Sequence, residues 1–187
     1  MAPITNQPQL KASMFGRMPV GGAKPKGGGK PAGPRGVRVE HRIGVQAPAE
    51  AIWAVIQDLD GWSRWNPLFP KAQGAIRIGA PIDIDMALPG AKPQSLQVTV
   101  LDWAPNEQLH LKSTALGGLV KVVHYIEIEQ LAEASCIVSN GQIIGGLLGA
   151  SAARQVGARL HRGLRQMNEA LKAEAEAGGA RRSGPRV

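Results

Sequence analysis

His124 is the residue in this sequence with the clearest capacity for chemistry, because it lies in a segment of alternating polarity. Val122, His124 and Ile126 alternate with Lys121 and Glu127, so strand periodicity places the histidine on the apolar face of a predicted strand. Such a histidine can orient a polar group of a ligand or transfer a proton near neutral pH. It can equally be a hydrogen-bonded structural residue.

Two amide side chains have the same predicted orientation on the next strand. The segment Ser135 to Ile144 reads as a strand, and Val138, Asn140 and Gln142 share one of its faces. Pairing with the His124 strand would add both amides to the same wall. A few polar groups on an apolar wall are how small-molecule sites orient their ligands.

Other chemistries have weaker support in the sequence. Asp83 and Asp85 share a strand face opposite to Ile82 and Ile84, which predicts a solvated pair rather than a catalytic one. The single cysteine, Cys136, excludes an intrachain disulfide and a multi-thiolate metal site. We predict neither a metal nor a cofactor, since the remaining histidines have no ligand spacing and no phosphate-loop or nucleophile-elbow motif occurs. These histidines are His41, His110 and His161.

The formal charge of +8 belongs to the two ends of the chain. Residues 1–36 carry six basic and no acidic side chains, residues 178–187 carry three basic and none acidic, and residues 37–177 carry 13 basic and 14 acidic ones. We therefore predict two disordered basic tails, 1–36 and 178–187, flanking one domain at 37–177. The tails either act as solvated extensions or make weak contacts with acidic partners, with no specific nucleic-acid binding.

The same composition bears on location. Neither an apolar run long enough to span a membrane nor a secretory signal is present, and the lone cysteine suits a reducing compartment, so we predict a cytoplasmic protein. An acid-free N-terminus also suits a mitochondrial transit peptide, although its Gly and Pro content opposes the amphipathic helix that such peptides form.

The elements needed to position these residues follow from periodicity. A strand is predicted over 37–47, followed by a helix that starts at Pro48 and carries Ile52, Trp53 and Ile56 at helical spacing. A short turn at 62–66 comes next. Six strands follow, the first a short one at 75–78, and a long amphipathic helix is predicted over 147–177. Alternation of this kind indicates an antiparallel sheet with one buried and one wet face.

Four motifs in this order are similar to those of the SRPBCC, or START-like, superfamily, which includes polyketide cyclase/dehydratase-type proteins. They are WSRWNP at 62–67, KPQSLQVTVLDWAPNEQLHLKS at 92–113, HYIEIEQL at 124–131 and MNEALKAEAEA at 167–177. The resemblance covers residues 37–177. It implies an α+β helix-grip fold, in which a curved antiparallel sheet of about seven strands surrounds a long C-terminal helix in the order β-α-α-β6-α.

The resemblance also implies an internal cavity between sheet and helix for a small apolar ligand such as a lipid or polyketide. Relatives often carry an acidic residue near the position of Gln142, and the amide found here favours binding over catalysis. Three functions stay open: a carrier or sensor of an apolar ligand, a cyclase/dehydratase-type enzyme that uses His124, and an interaction module that docks through its basic tails. Monomer and homodimer are both allowed. The expected cavity residues are Trp53, Trp65, Ile84, Met86, Val98, Val100, Leu111, Val122, His124, Ile126, Val138, Asn140, Gln142, Val156, Leu160 and Leu164.

Overall fold

A computed structural model describes residues 35–182 of the 187-residue chain, with side chains to Gly178. Strands, helices and one 3₁₀ turn follow one another in the predicted order, and the α+β helix-grip architecture is confirmed. The elements are β1 (Val37–Val45), α1 (Ala49–Gln57), α2 (Trp62–Trp65), β2 (Lys71–Gly74), β3 (Pro81–Met86), β4 (Gln94–Ala104), β5 (Gln108–Ala115), a 3₁₀ turn (Leu116–Gly118), β6 (Val120–Ala132), β7 (Ser135–Gly145) and α3 (Gly149–Arg182).

The seven strands form one antiparallel sheet in the order β1-β7-β6-β5-β4-β3-β2. Its register decides which polar residues meet. His124 of β6 is directly opposite Gln142 of β7, and Asn140 of β7 is opposite Ile126 on one side and His41 of β1 on the other. Directly opposed side chains lie on one face of an antiparallel sheet, so four polar residues of three neighbouring strands share the inner face.

Alternation along each strand produces the buried inner face. In β6, His124, Ile126 and Ile128 are buried, whereas Lys121 and Glu127 are exposed. This burial removes the apolar side chains from water, which is the main stabilising contribution to a sheet of this kind.

Tyr125 is an exception to the expected wet outer face. It is buried on the outer side of β6, where its hydroxyl donates a hydrogen bond to Glu40. The glycine at position 141 leaves room for this ring, because a Cβ there would lie 2.3 Å from the tyrosine hydroxyl oxygen and 2.9 Å from the Val39 carbonyl oxygen. A polar ring can be buried at this position because the carboxylate satisfies its hydroxyl.

The tryptophan turn after α1 belongs to the core. Trp62 is fully buried and its indole N–H donates to the carbonyl of Ile56 at 2.9 Å. The Asn66 side-chain oxygen accepts the backbone N–H groups of Leu68 at 3.1 Å and Phe69 at 2.9 Å. This Asx-type turn directs Leu68 and Phe69 into the core on the inner face of the sheet.

Helix α3 packs mainly against β1, β7 and α1. Its buried stripe contains Leu160, Leu164, Met167 and Leu171. Gly163 lies on the same side, where an added Cβ would lie 2.8 Å from Leu68 Cδ1 and 3.3 Å from Pro89 Cδ. The glycine in the middle of the helix therefore permits a close approach to the β3–β4 hairpin and the segment after α2.

Three predicted boundaries are corrected. The short strand expected at 75–78 is wrong: β2 is Lys71–Gly74, which pairs with β3, and a turn closed by the hydrogen bond from Ala80 N to Arg77 O follows it. Strand β1 ends at Val45 instead of 47. Helix α3 begins at Gly149 instead of 147 and continues to Arg182 instead of ending at 177. The rest of both predicted tails, 1–34 and 183–187, lies outside the described residues.

Candidate functional site

His124 is buried on the inner face of β6 with no hydrogen-bond partner. Its exposure is 5%, and neither ring nitrogen is hydrogen-bonded within the described part of the chain. The ring of Phe69 packs edge-to-face against it with centroids 5.0 Å apart. An unpartnered imidazole in such an apolar place is costly, since buried polar atoms in native proteins are almost always paired.

Burial lowers the pKa of His124 to about 4, with a smaller contribution in the same direction from the nearby His110. The Gly141 backbone acts in the opposite direction and raises this pKa slightly. At neutral pH the ring is therefore uncharged, with one N–H donor and one bare nitrogen acceptor. Such a ring is suited to hydrogen bonding with a neutral group.

A chain of hydrogen bonds fixes the orientation of the neighbouring Asn140. The Asn168 amide nitrogen on α3 donates to the carbonyl of His41 at 2.9 Å and lies 3.0 Å from His41 Nδ1. Since a carbonyl only accepts, this end of Asn168 must be the NH₂ group. Its oxygen consequently faces Asn140, whose Nδ2 donates to it at 3.2 Å.

It follows that Asn140 directs its side-chain oxygen away from Asn168. That oxygen is buried and has no donor among the described residues, and Asn140 as a whole is completely buried. The amide nitrogen of Asn140 makes a further contact with Met167 Sδ at 3.1 Å. The arrangement leaves a fixed hydrogen-bond acceptor on the inner face. Asn140 is opposite Ile126, the next inward-facing residue after His124 on β6.

Gln142 completes this group at the position opposite His124. It is 6% exposed, and its amide makes no side-chain hydrogen bond to a described residue. We call His124, Asn140 and Gln142 the inner polar group.

His41 lies beside this group, opposite Asn140. Burial lowers the pKa of His41, and the adjacent His161 lowers it further.

The interior around the inner polar group holds no formal charge. The buried polar side chains within the described residues are three asparagines, one glutamine and one histidine, and none is Asp, Glu, Lys or Arg. Across residues 35–182, no three His, Cys, Asp or Glu side chains are close enough to hold a metal ion. The inner wall can therefore offer hydrogen bonds and apolar contact.

The other candidates from the sequence lie outside this group. Asp83 and Asp85 are on the outer face, where they accept hydrogen bonds from Gln97 at 2.9 Å and Ser95 at 2.5 Å. Cys136 is buried. Its pKa is raised by burial and by the charge of Glu50, and its thiol lies 3.4 Å from the carbonyl of Ala47.

Most of the expected cavity residues lie in one hydrophobic core with the inner polar group. The buried ones besides that group are Ile84, Val98, Val100, Leu111, Ile126, Val138, Leu160 and Leu164, and the half-buried ones are Met86, Val122 and Val156. Burial therefore decreases from the centre of the core towards Val122, two residues from His124, and towards Val156 on α3.

Trp53 and Trp65 belong to the same hydrophobic core, and each also borders a surface cleft. Trp53 is buried, stacks on Trp103 with centroids 6.1 Å apart and lines a surface cleft that also contains Asp58. Trp65 is half-buried and lines a second cleft beside Glu174. Their indoles brace the domain near α1 and α2.

A cleft of about 640 Å³ on the outer face of the sheet is separate from the inner polar group. Its lining includes Lys112, Lys121, Val123 and Ile143. None of the unpartnered buried polar atoms belongs to a residue of this lining. The unpartnered polar atoms of His124 and Asn140 are therefore on the opposite side of the sheet from this cleft.

Sequence reasoning missed Phe69 and Asn168 as parts of the site, and it considered His41 only as a metal ligand, a role that it rejected for lack of ligand spacing. Asn168 had a usable signal, because it falls one turn after Leu164 on the apolar stripe of α3. A polar residue at such a position must find a partner in the core. Phe69 carried no such signal, since its contact with His124 depends on the turn at Asn66.

The fold and this largely apolar interior define a START-like helix-grip protein. The family model for "Polyketide cyclase / dehydrase and lipid transport" matches residues 36–176. The chain therefore belongs to this family, which confirms the resemblance seen in the four motifs. No helix in the described part of the chain is long and apolar enough to cross a membrane. A search of curated proteins finds no match.

Solved structures support the same fold. A START superfamily protein from Mycobacterium smegmatis is 18% identical, with a TM-score of 0.60, over 75% of this chain and 97% of the other. Protein MLL2253 from Mesorhizobium loti is 16% identical, with a TM-score of 0.59, over 75% and 98%. The di-domain ARO/CYC BexL from the BE-7585A biosynthetic pathway is 16% identical, with a TM-score of 0.58, over 72% of this chain. This chain spans 46% of BexL, and at these identities the likeness concerns the fold.

Proposed function

We propose that this chain binds a small, largely apolar molecule against the inner face of its sheet, with His124 and Asn140 as polar contacts. The observation that carries the proposal is the set of buried, unpartnered atoms on these two residues: both ring nitrogens of His124 and the side-chain oxygen of Asn140. Each such atom costs about 1–3 kcal/mol unless a partner satisfies it. A bound ligand would supply these partners.

The surroundings support an apolar body for this molecule. Ile126, Val138 and Leu164 are buried within the same core, and the half-buried Val122 and Val156 pack against it. Burial of apolar surface contributes about 25 cal/mol per Å², so a molecule of modest size gains most of its binding free energy from these contacts. The membership of a family described by cyclase, dehydrase and lipid transport agrees with a ligand of this kind.

Binding is a better match to the site than proton transfer. With a pKa of about 4, His124 is neutral at pH 7, so it is a weak base and lacks the imidazolium form that acts as a general acid. No ionisable carboxylate is buried beside it within residues 35–178. We therefore favour a carrier or sensor over a cyclase/dehydratase-type enzyme, and we keep the predicted cytoplasmic location with it.

The test is to identify what the purified protein carries. Native mass spectrometry and solvent extraction should reveal an apolar molecule, and a fluorescent apolar probe should compete with it. Asn140→Leu and His124→Phe should each weaken binding about tenfold, because each variant removes a hydrogen bond to the ligand worth about 1–3 kcal/mol. His110→Phe is the matched control, since His110 faces outwards and pairs with Glu127 at 3.1 Å. An empty protein that binds no probe would refute the proposal.

A further inference from the structure

The inner polar group lacks more hydrogen-bond donors than acceptors, and this restricts the chemistry of the ligand's polar end. The side-chain oxygen of Asn140 accepts only, and the His41–Asn168 chain fixes its orientation. It therefore requires a donor. Neutral His124 requires one more donor for its bare nitrogen in either tautomer, and an acceptor for its N–H.

We propose that the polar end of the ligand is an uncharged hydroxyl group, as in an alcohol or phenol, and that the site rejects the corresponding carboxylate. This inference rests on the proposed function and concerns the same site. A hydroxyl group both donates and accepts. It can give its hydrogen to Asn140 or His124 and accept the histidine N–H with its oxygen.

Other polar end groups satisfy less of the demand. A ketone offers lone pairs alone, so it serves the His124 N–H and leaves Asn140 without a donor. A carboxylate has the same shortcoming and also brings a charge into an interior where the described residues provide no buried Lys or Arg. An unpaired buried charge is strongly disfavoured. The expected order of affinity is alcohol, then ketone, then carboxylate.

The contact environment supports the discrimination against charge. Phe69 packs against the His124 ring, and Ile126 and Val138 are almost fully excluded from water. Screening of a ligand charge by solvent is weak in such surroundings. The Gln142 amide, opposite His124, can both donate and accept a hydrogen bond, so it can serve any of the three end groups and does not alter the order.

The experiment compares ligands that differ only in this end group. At pH 7 the probes are 1-decanol, 2-decanone and decanoate, with 2-naphthol, 2-acetylnaphthalene and 2-naphthoate as an aromatic series. Binding is measured by titration calorimetry or by displacement of a fluorescent probe. The alcohol of the bound series should bind about tenfold tighter than the ketone, and the carboxylate should bind weakest.

Two variants connect the preference to the named atoms. In Asn140→Leu, the difference between alcohol and ketone should fall, because the fixed acceptor is lost and only the bare nitrogen of His124 still accepts from the alcohol. His124→Phe, which fills the ring position without nitrogen atoms, is the second variant in case the first does not fold. It should reduce the affinity for the alcohol at least as much as that for decanoate, because decanoate can use only the N–H of His124 whereas the alcohol can use both ring nitrogens. Gln97→Leu on the outer face is the control and should keep the wild-type order.

The outcomes separate the two proposals. Binding of decanoate or 2-naphthoate as tight as that of the alcohol would overturn the inference while leaving apolar ligand binding intact. An alcohol preference that survives in both Asn140→Leu and His124→Phe would also overturn it. Failure of every probe in both series to bind, together with an empty purified protein, would refute ligand binding itself and the inference with it.

Discussion

The hydrogen-bond chain from His41 through Asn168 to Asn140 should contribute measurably to stability. Asn168→Ala removes the amide that donates to the His41 carbonyl and accepts from Asn140 Nδ2. Two buried polar groups then lose a partner, at about 1–3 kcal/mol each. Asn140 Nδ2 keeps its contact with Met167 Sδ at 3.1 Å, so we expect a total loss of about 3 kcal/mol, a large fraction of the stability of an ordinary domain.

The assay is urea unfolding followed by tryptophan fluorescence, with the free energy of unfolding extrapolated to water. Gln166→Ala is the matched control on the same helix, since residue 166 is exposed and should change stability by less than about 0.5 kcal/mol. A free energy of unfolding of Asn168→Ala within about 1 kcal/mol of the wild-type value would contradict the reasoning. The hydrogen bonds of Asn168 to His41 and Asn140 would then contribute little to stability.

A double-mutant cycle tests the pairing itself. Asn140→Leu leaves the Asn168 side-chain oxygen without its donor, and Asn168→Leu leaves Asn140 Nδ2 without that acceptor and the His41 carbonyl without its donor. In the double variant only the His41 carbonyl lacks its donor. The double variant should therefore be less destabilised than the sum of the single variants, with a coupling of about 1–2 kcal/mol. Additive effects would mean that the two amides do not interact in solution.

Three further predictions concern other positions. Burial lowers the pKa of His124 from 6.5 to about 4, so the folded state binds this proton more weakly than the unfolded chain does. The free energy of unfolding should therefore be at its full value above pH 6.5 and fall by roughly 3 kcal/mol as the pH falls towards 4. This loss should be absent in His124→Gln, and parallel pH profiles of the two proteins would contradict it. Gly157→Ala should raise the free energy of unfolding by up to about 1 kcal/mol, because the nearest atom to the new Cβ is 3.9 Å away. Gly163→Leu should lower it by about 1–3 kcal/mol through its contact with Leu68, and equal effects at both glycines would argue against the close approach. The buried Cys136 thiol, whose pKa is raised, should react with Ellman's reagent only after unfolding, and fast labelling of the native protein would contradict its burial.

The regular parts of the fold were predictable from local pattern. Alternation over Val122 to Ile128 placed His124 on the inner face, and the 3.6-residue period of Leu160, Leu164 and Leu171 identified the long helix. Both signals come from the backbone geometry of single elements. The short strand near residue 75 failed because its pairing with β3 is shifted towards Lys71, and pairing depends on a partner strand that periodicity does not specify.

The sequence by itself determined the fold family, the order of the elements and the inward orientation of His124, Asn140 and Gln142, because these depend on periodicity and motifs within short segments. Only the tertiary structure decided which polar atoms have partners. Asn168 of α3 reaches across the core to the His41 carbonyl on β1, and the turn at Asn66 places Phe69 against His124. Such contacts join residues far apart in the chain, and their hydrogen bonds depend on distances of a few tenths of an ångström that only packing sets.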